Sequence, residues 1–230
     1  MSEKDEFIYK EKDKGKKELL SMLIYRPVAT QIVLRFMKQC TFSPNLISMV
    51  SLLLGIAASL IFALGRYPVI AWGVVLLHLS YLFDVLDGQY ARYKNSSSAY
   101  GAWFDPFVDI IKAACLLIGL AYGAYQITGD AHVFLWSAFA MTHSFLTMYI
   151  LNTRDKVPGS SAFEVVVRPN IYIGYEISLY WIISLFVLCN LVYLGLIVLG
   201  SVGALSWVKC FISVRRNYFL HRRNEKLKER

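Results

Sequence analysis

Hydrophobic residues run along this chain in long, nearly uninterrupted blocks separated by short polar segments. The blocks fall at about 46–64, 69–86, 102–126, 131–151, 171–189 and 191–213. Each approaches the ~20 residues that an α-helix needs to cross a hydrocarbon core about 30 Å thick. The pattern predicts an all-α protein built as a six-transmembrane-helix bundle. The run from 171 to 213 is divided at Cys189-Asn190, because a single helix of that length would overshoot the bilayer. Ahead of the first block, Leu19, Leu20, Leu23, Ile24, Val28, Ile32 and Phe36 recur with helical spacing among Arg26, Arg35 and Lys38. That mixture predicts an N-terminal amphipathic juxtamembrane helix lying in the interface, interrupted near Pro27. Ser43 and Pro44 read as the N-cap and first residue of the first span. Three regions follow: a charged N-terminus with the interfacial helix at 1–42, a six-helix catalytic domain at 43–214, and a basic cytoplasmic tail at 215–230.

Composition sharpens this. The chain is 57% hydrophobic with mean hydropathy +0.47, above the roughly 45–50% apolar content of soluble domains. The net charge of +8 is distributed unevenly. Nine lysines and arginines precede the first span, Arg92 and Lys94 lie in the second loop, and Arg154, Lys156 and Arg168 lie in the fourth. Eight more run from Lys209 to Arg230, whereas only Arg66 falls on the opposite side. By the positive-inside rule both termini are cytoplasmic. The C-terminal basic run is read as a topology determinant facing anionic headgroups, and no nucleic-acid partner is expected. The charged first 18 residues argue against a cleavable signal peptide. Cys40, Cys115, Cys189 and Cys210 stand singly and are read as small buried hydrophobes.

Against that apolar background, Asp84, Asp87, Asp105 and Asp109 fall within 26 residues of one another. Carboxylates at membrane depth are costly and usually functional. Spacings of three and four residues put each pair on one face of its own helix, and two such faces can meet around divalent cations. Carboxylates without His or Cys are hard donors that favour Mg²⁺, Mn²⁺ or Ca²⁺ over zinc. Gly88 and Ala91 continue the stripe of Asp84 and Asp87 with almost no side chain, which allows close approach of a backbone or a flat ligand. Arg92 adds a charge suited to phosphate. The chemistry this points to is phosphoryl or pyrophosphoryl transfer, with Asp109, last in the series, as general base. Lys112, three residues further on, reads either as a contact to phosphate or to Asp109, or as a neutralising partner for the acidic cluster. His78, His132, His143 and His221 share no spacing and read as packing residues.

The series Asp84, Asp87, Gly88, Ala91, Arg92, Gly101, Asp105 and Asp109 resembles the D-x-x-D-G-x-x-A-R-x8-G-x-x-x-D-x-x-x-D signature of the CDP-alcohol phosphotransferase family. The likeness extends to the six-helix layout, the interfacial helix and the S-P-N-L-I-S start at Ser43 to Ser48. It implies transfer of a phosphoalcohol group from a CDP-linked donor, such as CDP-diacylglycerol, to a second alcohol, with release of CMP. It further implies that the four aspartates hold two Mg²⁺ or Mn²⁺ ions on the diphosphate and that Asp109 takes the proton of the attacking hydroxyl. Asp84, Gly88, Ala91, Arg92 and Gly101 would form the nucleotide site. A phosphorylated polyol acceptor, such as inositol phosphate or glycerol phosphate, would find Arg154 and Arg168 on the same side. The family resemblance also implies a homodimer with its site open to the cytoplasmic leaflet.

Other readings compete. The same chemistry on a soluble CDP-alcohol shares every residue named. A membrane prenyltransferase also uses D-x-x-D motifs, but as two sites far apart in sequence. A cation transporter would line its path with aspartates but has no use for Gly88, Ala91 or Arg92.

Overall fold

In a computed structural model, residues 17–153, 165–168, 171–173 and 175–228 are described. Helix α1 is assembled from Ser21–Tyr25, Arg26–Ile32 and Val33–Met37 without a break, followed by α2 (Pro44–Ala63), α3 (Val69–Tyr93) and α4 (Ala99–Thr128). Helices α5 (His132–Thr153), α6 (Tyr175–Leu188) and α7 (Val192–Lys228) complete the helical part. Four are long and apolar enough to cross a membrane: α2, α3, α4 and the Val192–Arg216 part of α7. Large apolar side chains such as Leu53, Leu60, Trp72, Leu205 and Phe211 point outward. An exposed apolar surface of that extent fits a bundle solvated by hydrocarbon.

Pro27 does not interrupt α1, contrary to the expectation from sequence. It sits in the first turn of the central α segment, where its missing N–H is least costly, and the turns on either side are π-helical. The wide turns also set which face is buried. Ser21, Tyr25, Ala29, Val33 and Met37 recur every four residues and pack inward. Of the stripe expected to mark the helix, Leu23, Ile24, Val28 and Phe36 are exposed and Leu19, Leu20 and Ile32 half-buried. The inward face is fastened to α3. The Tyr25 hydroxyl bonds His78 Nδ1 at 2.5 Å. Gln89 Nε2 donates to the Arg26 carbonyl at 3.3 Å and Tyr90 donates to the Cys40 carbonyl at 2.7 Å. Burial, and secondarily the Glu18 carboxylate, pushes the Tyr25 phenol up to about 12.

The expected all-α fold is accompanied by a small sheet that hydropathy did not indicate. Strands β1 (Lys17–Glu18), β2 (Val165–Arg168) and β3 (Ile171–Ile173) pair in the order β1-β3-β2, parallel and antiparallel respectively. The fifth apolar run therefore starts as a β-branched strand, and its helix begins only at Tyr175. The turn expected at Cys189-Asn190 is present, with Asn190 at φ 56°. Beyond it α7 continues to Lys228, so no break in secondary structure marks a tail at 215. Three cysteines are less buried than expected, Cys40 and Cys115 being intermediate and Cys189 exposed, while the side chain of Cys210 lies outside the described residues.

Close helix contact brings the middle of the bundle together. On α4, Gly119 lies against the Ser59 carbonyl and Gly123 against the Phe62 carbonyl of α2, leaving no room for a Cβ at either position. Small residues spaced by four allow such backbone approach. The apolar core above them includes Phe62, Ile70, Leu77, Leu116, Leu120, Tyr180 and Leu196.

Candidate active site

Two helix ends set the geometry. Helix α3 stops at Tyr93, where Asn95 takes φ 52° and the Ser96 N–H reaches back to the Ala91 carbonyl at 2.9 Å. That closure satisfies a carbonyl that the end of the helix would otherwise leave open. Helix α4 starts a few residues later, with the Ser98 hydroxyl accepting from the Gly101 N–H at 3.0 Å. Helix α2 packs against both, and that shared neighbour holds α3 and α4 close enough for their side chains to meet.

The carboxylates meet there. One oxygen each from Asp84, Asp105 and Asp109 lies within 4.8 Å of the others. Among the described residues, this is the group of side chains placed to hold a metal ion, and it contains no histidine or cysteine. Asp105 is exposed while Asp84 and Asp109 are partly buried, so the cluster has one open side. Three hard oxygen donors, open on one side, fit a divalent cation of the Mg²⁺ or Mn²⁺ type that keeps water or substrate oxygens as its remaining ligands.

Asp87 is held apart from this trio. It is 6% exposed, and its Oδ2 accepts from Ser48 of α2 at 2.5 Å. Ser48 was part of the S-P-N-L-I-S start but received no task from sequence. Its signal is the small-residue stripe of α2, where Ser48, Ser51, Gly55, Ala58 and Ser59 are buried together. Lys112 joins the cluster. Its Nζ lies 2.5 Å from Asp84 Oδ1 and 2.8 Å from Asp109 Oδ1, and it donates to Ser51 Oγ at 3.1 Å. Of the readings of Lys112, the ion pairing with the acidic cluster is the one the geometry displays.

The residues expected on the nucleotide side follow in order. The Arg92 guanidinium folds back over Gly88, where a Cβ would stand 3.2 Å from Nη1. Ala91 and Arg92 are partly buried. A Cβ on Gly101 would stand 3.3 Å from Ser98 Oγ, so this glycine leaves space for the capping hydroxyl at the start of α4. Arg154 lies outside the described residues. Arg168 ends β2, and its side chain also lies outside them. His78 bridges Tyr25 and Ser184, and His132 opens α5 beside Asp130. Asp130 accepts from the Tyr193 hydroxyl and from the backbone and ring of His132, which together pull its carboxyl down to about 2.

Residues 41–214 match the family model described as CDP-alcohol phosphatidyltransferase. The chain is 27% identical over 111 residues to phosphatidylinositol phosphate synthase of Mycobacteroides abscessus, an alignment spanning 47% of this chain and 49% of that one. It is 26% identical over 166 residues to archaetidylinositol phosphate synthase of Pyrococcus horikoshii, covering 72% and 78%. The chain thus spans about half the length of the first of these relatives and more of the second. Among solved structures, the Mycobacterium tuberculosis phosphatidylinositol phosphate synthase with CDP-DAG bound superposes with a TM-score of 0.62 at 18% identity, covering 83% of this chain and 93% of that one. The same enzyme in complex with manganese and citrate gives a TM-score of 0.60 over 83% and 88%. These likenesses show a shared fold.

Proposed function

Because the chain belongs to the CDP-alcohol phosphatidyltransferase family, we propose that it is an integral membrane transferase that moves a phosphatidyl group from CDP-diacylglycerol to an alcohol, releasing CMP. The observation that carries this is the convergence of Asp84, Asp105 and Asp109 from two helices into one open carboxylate cluster. Asp84, Asp87, Asp105 and Asp109 would hold Mg²⁺ or Mn²⁺, two ions in the family pattern. When bound, such ions neutralise charge on the donor diphosphate and polarise its phosphorus. The chain's own residues do the rest. Gly88, Ala91 and Gly101 leave room for the nucleotide, and Arg92 sets a cation beside its phosphates. Asp109 accepts the proton of the acceptor hydroxyl as its oxygen bonds to the distal phosphorus, and the bond to CMP breaks.

The acceptor is a phosphorylated polyol, with inositol phosphate first. Supporting this, the named relatives are inositol phosphate transferases by description, and Arg154 and Arg168 fall in the loop that charge asymmetry places on the site's side. The same asymmetry supports cytoplasmic termini, a site at the cytoplasmic boundary, six spans with α5 and α6 completing the four long ones, and α1 lying in the interface on its exposed apolar stripe. Assembly as a homodimer belongs to the same reading.

The test is CMP release by purified protein supplied with CDP-diacylglycerol, divalent metal and a panel of alcohols. Turnover is expected with Mg²⁺ or Mn²⁺ and inositol phosphate, none with chelator, and a kcat about 10³-fold lower for Asp109→Asn. Release of CMP in chelator, or full turnover by Asp109→Asn, would sink the mechanism. Turnover only with an uncharged alcohol would sink the acceptor assignment alone.

A further inference from the structure

Among the described residues, Lys112 is the only lysine or arginine that is buried, with no exposed surface at all. An ammonium group in an apolar interior is costly unless each of its donors is met. Here hydrogen bonds to Asp84 Oδ1 on α3 and Ser51 Oγ on α2 are joined by an ion pair with Asp109 Oδ1 on α4, 2.8 Å away. The place is built for it. Ser51 and Ser80 exchange hydroxyl-to-carbonyl hydrogen bonds at 2.9 and 2.7 Å, locking α2 to α3 beneath the carboxylates. Gly55 leaves space for the lysine stem, since a Cβ there would stand 3.2 Å from Lys112 Cγ. Asp84 and Asp109 are also two members of the trio that converges as a metal site.

We propose that Lys112 is a positioning residue whose ammonium takes the place of a divalent cation in holding Asp84 and Asp109 together. Without metal, like charges on α3 and α4 would repel across the cluster, and the lysine balances them from one turn deeper in the bundle. With metal, the same ammonium opposes the incoming charge, so the site is ordered beforehand and releases its ion readily. Lys112 thus lowers the energy of the metal-free state more than that of the metal-bound state. By linkage, it must weaken metal binding in the absence of nucleotide. The metal half of this statement rests on the transferase reading, whereas the charge balance between Lys112 and the two aspartates does not.

The experiment uses the full-length protein in detergent and compares wild type, Lys112→Met and the double variant Lys112→Met/Asp109→Asn. Thermal melts are recorded in chelator and in saturating Mn²⁺, and Mn²⁺ affinity is measured by electron paramagnetic resonance without nucleotide. In chelator, Lys112→Met is expected to melt about 8 °C below wild type, the size set by leaving buried charge uncompensated. Mn²⁺ should close most of that gap, and Mn²⁺ should bind the variant about tenfold tighter once the opposing charge is gone. In chelator, adding Asp109→Asn should recover most of the lost stability, because it removes the charge left without its counter-ion. A loss that neither Mn²⁺ nor Asp109→Asn repairs would reduce Lys112 to a packing residue and overturn the proposal. If Lys112→Met cannot be purified, recovery of folded double variant supports the assignment and failure of both overturns it. Absence of Mn²⁺ binding to wild type and to Lys112→Met alike, with rescue by Asp109→Asn intact, would refute the metal-dependent function and leave the counter-charge role standing.

Discussion

Ser48 carries no charge and stands on a different helix from the four aspartates, yet it governs how one of them is held. Its hydroxyl donates to Asp87 Oδ2 at 2.5 Å, and both residues are more than nine-tenths buried. A buried carboxylate that loses such a donor must turn toward another partner, so the bond fixes the rotamer of Asp87. Ser48→Ala is therefore expected to raise the Mn²⁺ concentration for half-maximal turnover about 10–100-fold, while Ser48→Thr, which keeps the hydroxyl, retains most of the affinity. A metal titration of CMP release reads this directly. Equal curves for wild type and Ser48→Ala would mean that Asp87 is held by its surroundings and not by this bond. The aspartates announce themselves in sequence because charge inside an apolar run is anomalous. A serine there is not anomalous, and its task shows only when α2 and α3 are set side by side.

At the scale of elements, glycine decides how near α2 and α4 come, and hence whether Lys112 and Asp109 can reach α3. A methyl group at Gly119 would overlap the Ser59 carbonyl and hydroxyl, which are backbone and near-backbone atoms with little freedom to move. Gly119→Ala should cost about 2 kcal/mol in a thermal melt and, by moving α4 outward, lower turnover as well. Loss of neither would show that the helices separate without consequence for the site. Helix positions were legible because length and apolarity suffice to mark a span. The N-cap at Ser43 and the turn at Asn190 were legible because their residue types have few other uses. What hydropathy could not show depends on neighbours. Ile171–Ile173 is as apolar as a helix start but pairs as a strand with Lys17–Glu18. The inward face of α1 is set by π-helical turns that change the period from 3.6 toward four. Gly119 is one small residue among many in the membrane spans, and only the Ser59 carbonyl against it gives it a task.

Taken as a whole, the molecule has two unlike ends, and the end away from the aspartate cluster is held by one acid. Asp130, in the connection between α4 and α5, accepts from the His132 N–H at 2.9 Å and from the Tyr193 hydroxyl at 2.5 Å, tying that connection to the start of α7. Those hydrogen bonds favour the carboxylate and pull its pKa from 3.8 to about 2. A carboxylate depressed in the folded state stabilises it fully above the unfolded pKa and loses that contribution as pH falls through the folded value. The melting temperature of wild type should therefore exceed that of Asp130→Asn by a constant margin above about pH 5, and the margin should shrink between about pH 4 and pH 2. Taking the difference between the two proteins matters, because every group common to both cancels. The decline should also persist in saturating Mn²⁺, since the metal would act at the other end of the bundle. A margin that stays level down to pH 2 would mean the neutral acid serves as well as its anion, and that hydrogen bonding alone joins the connection to α7.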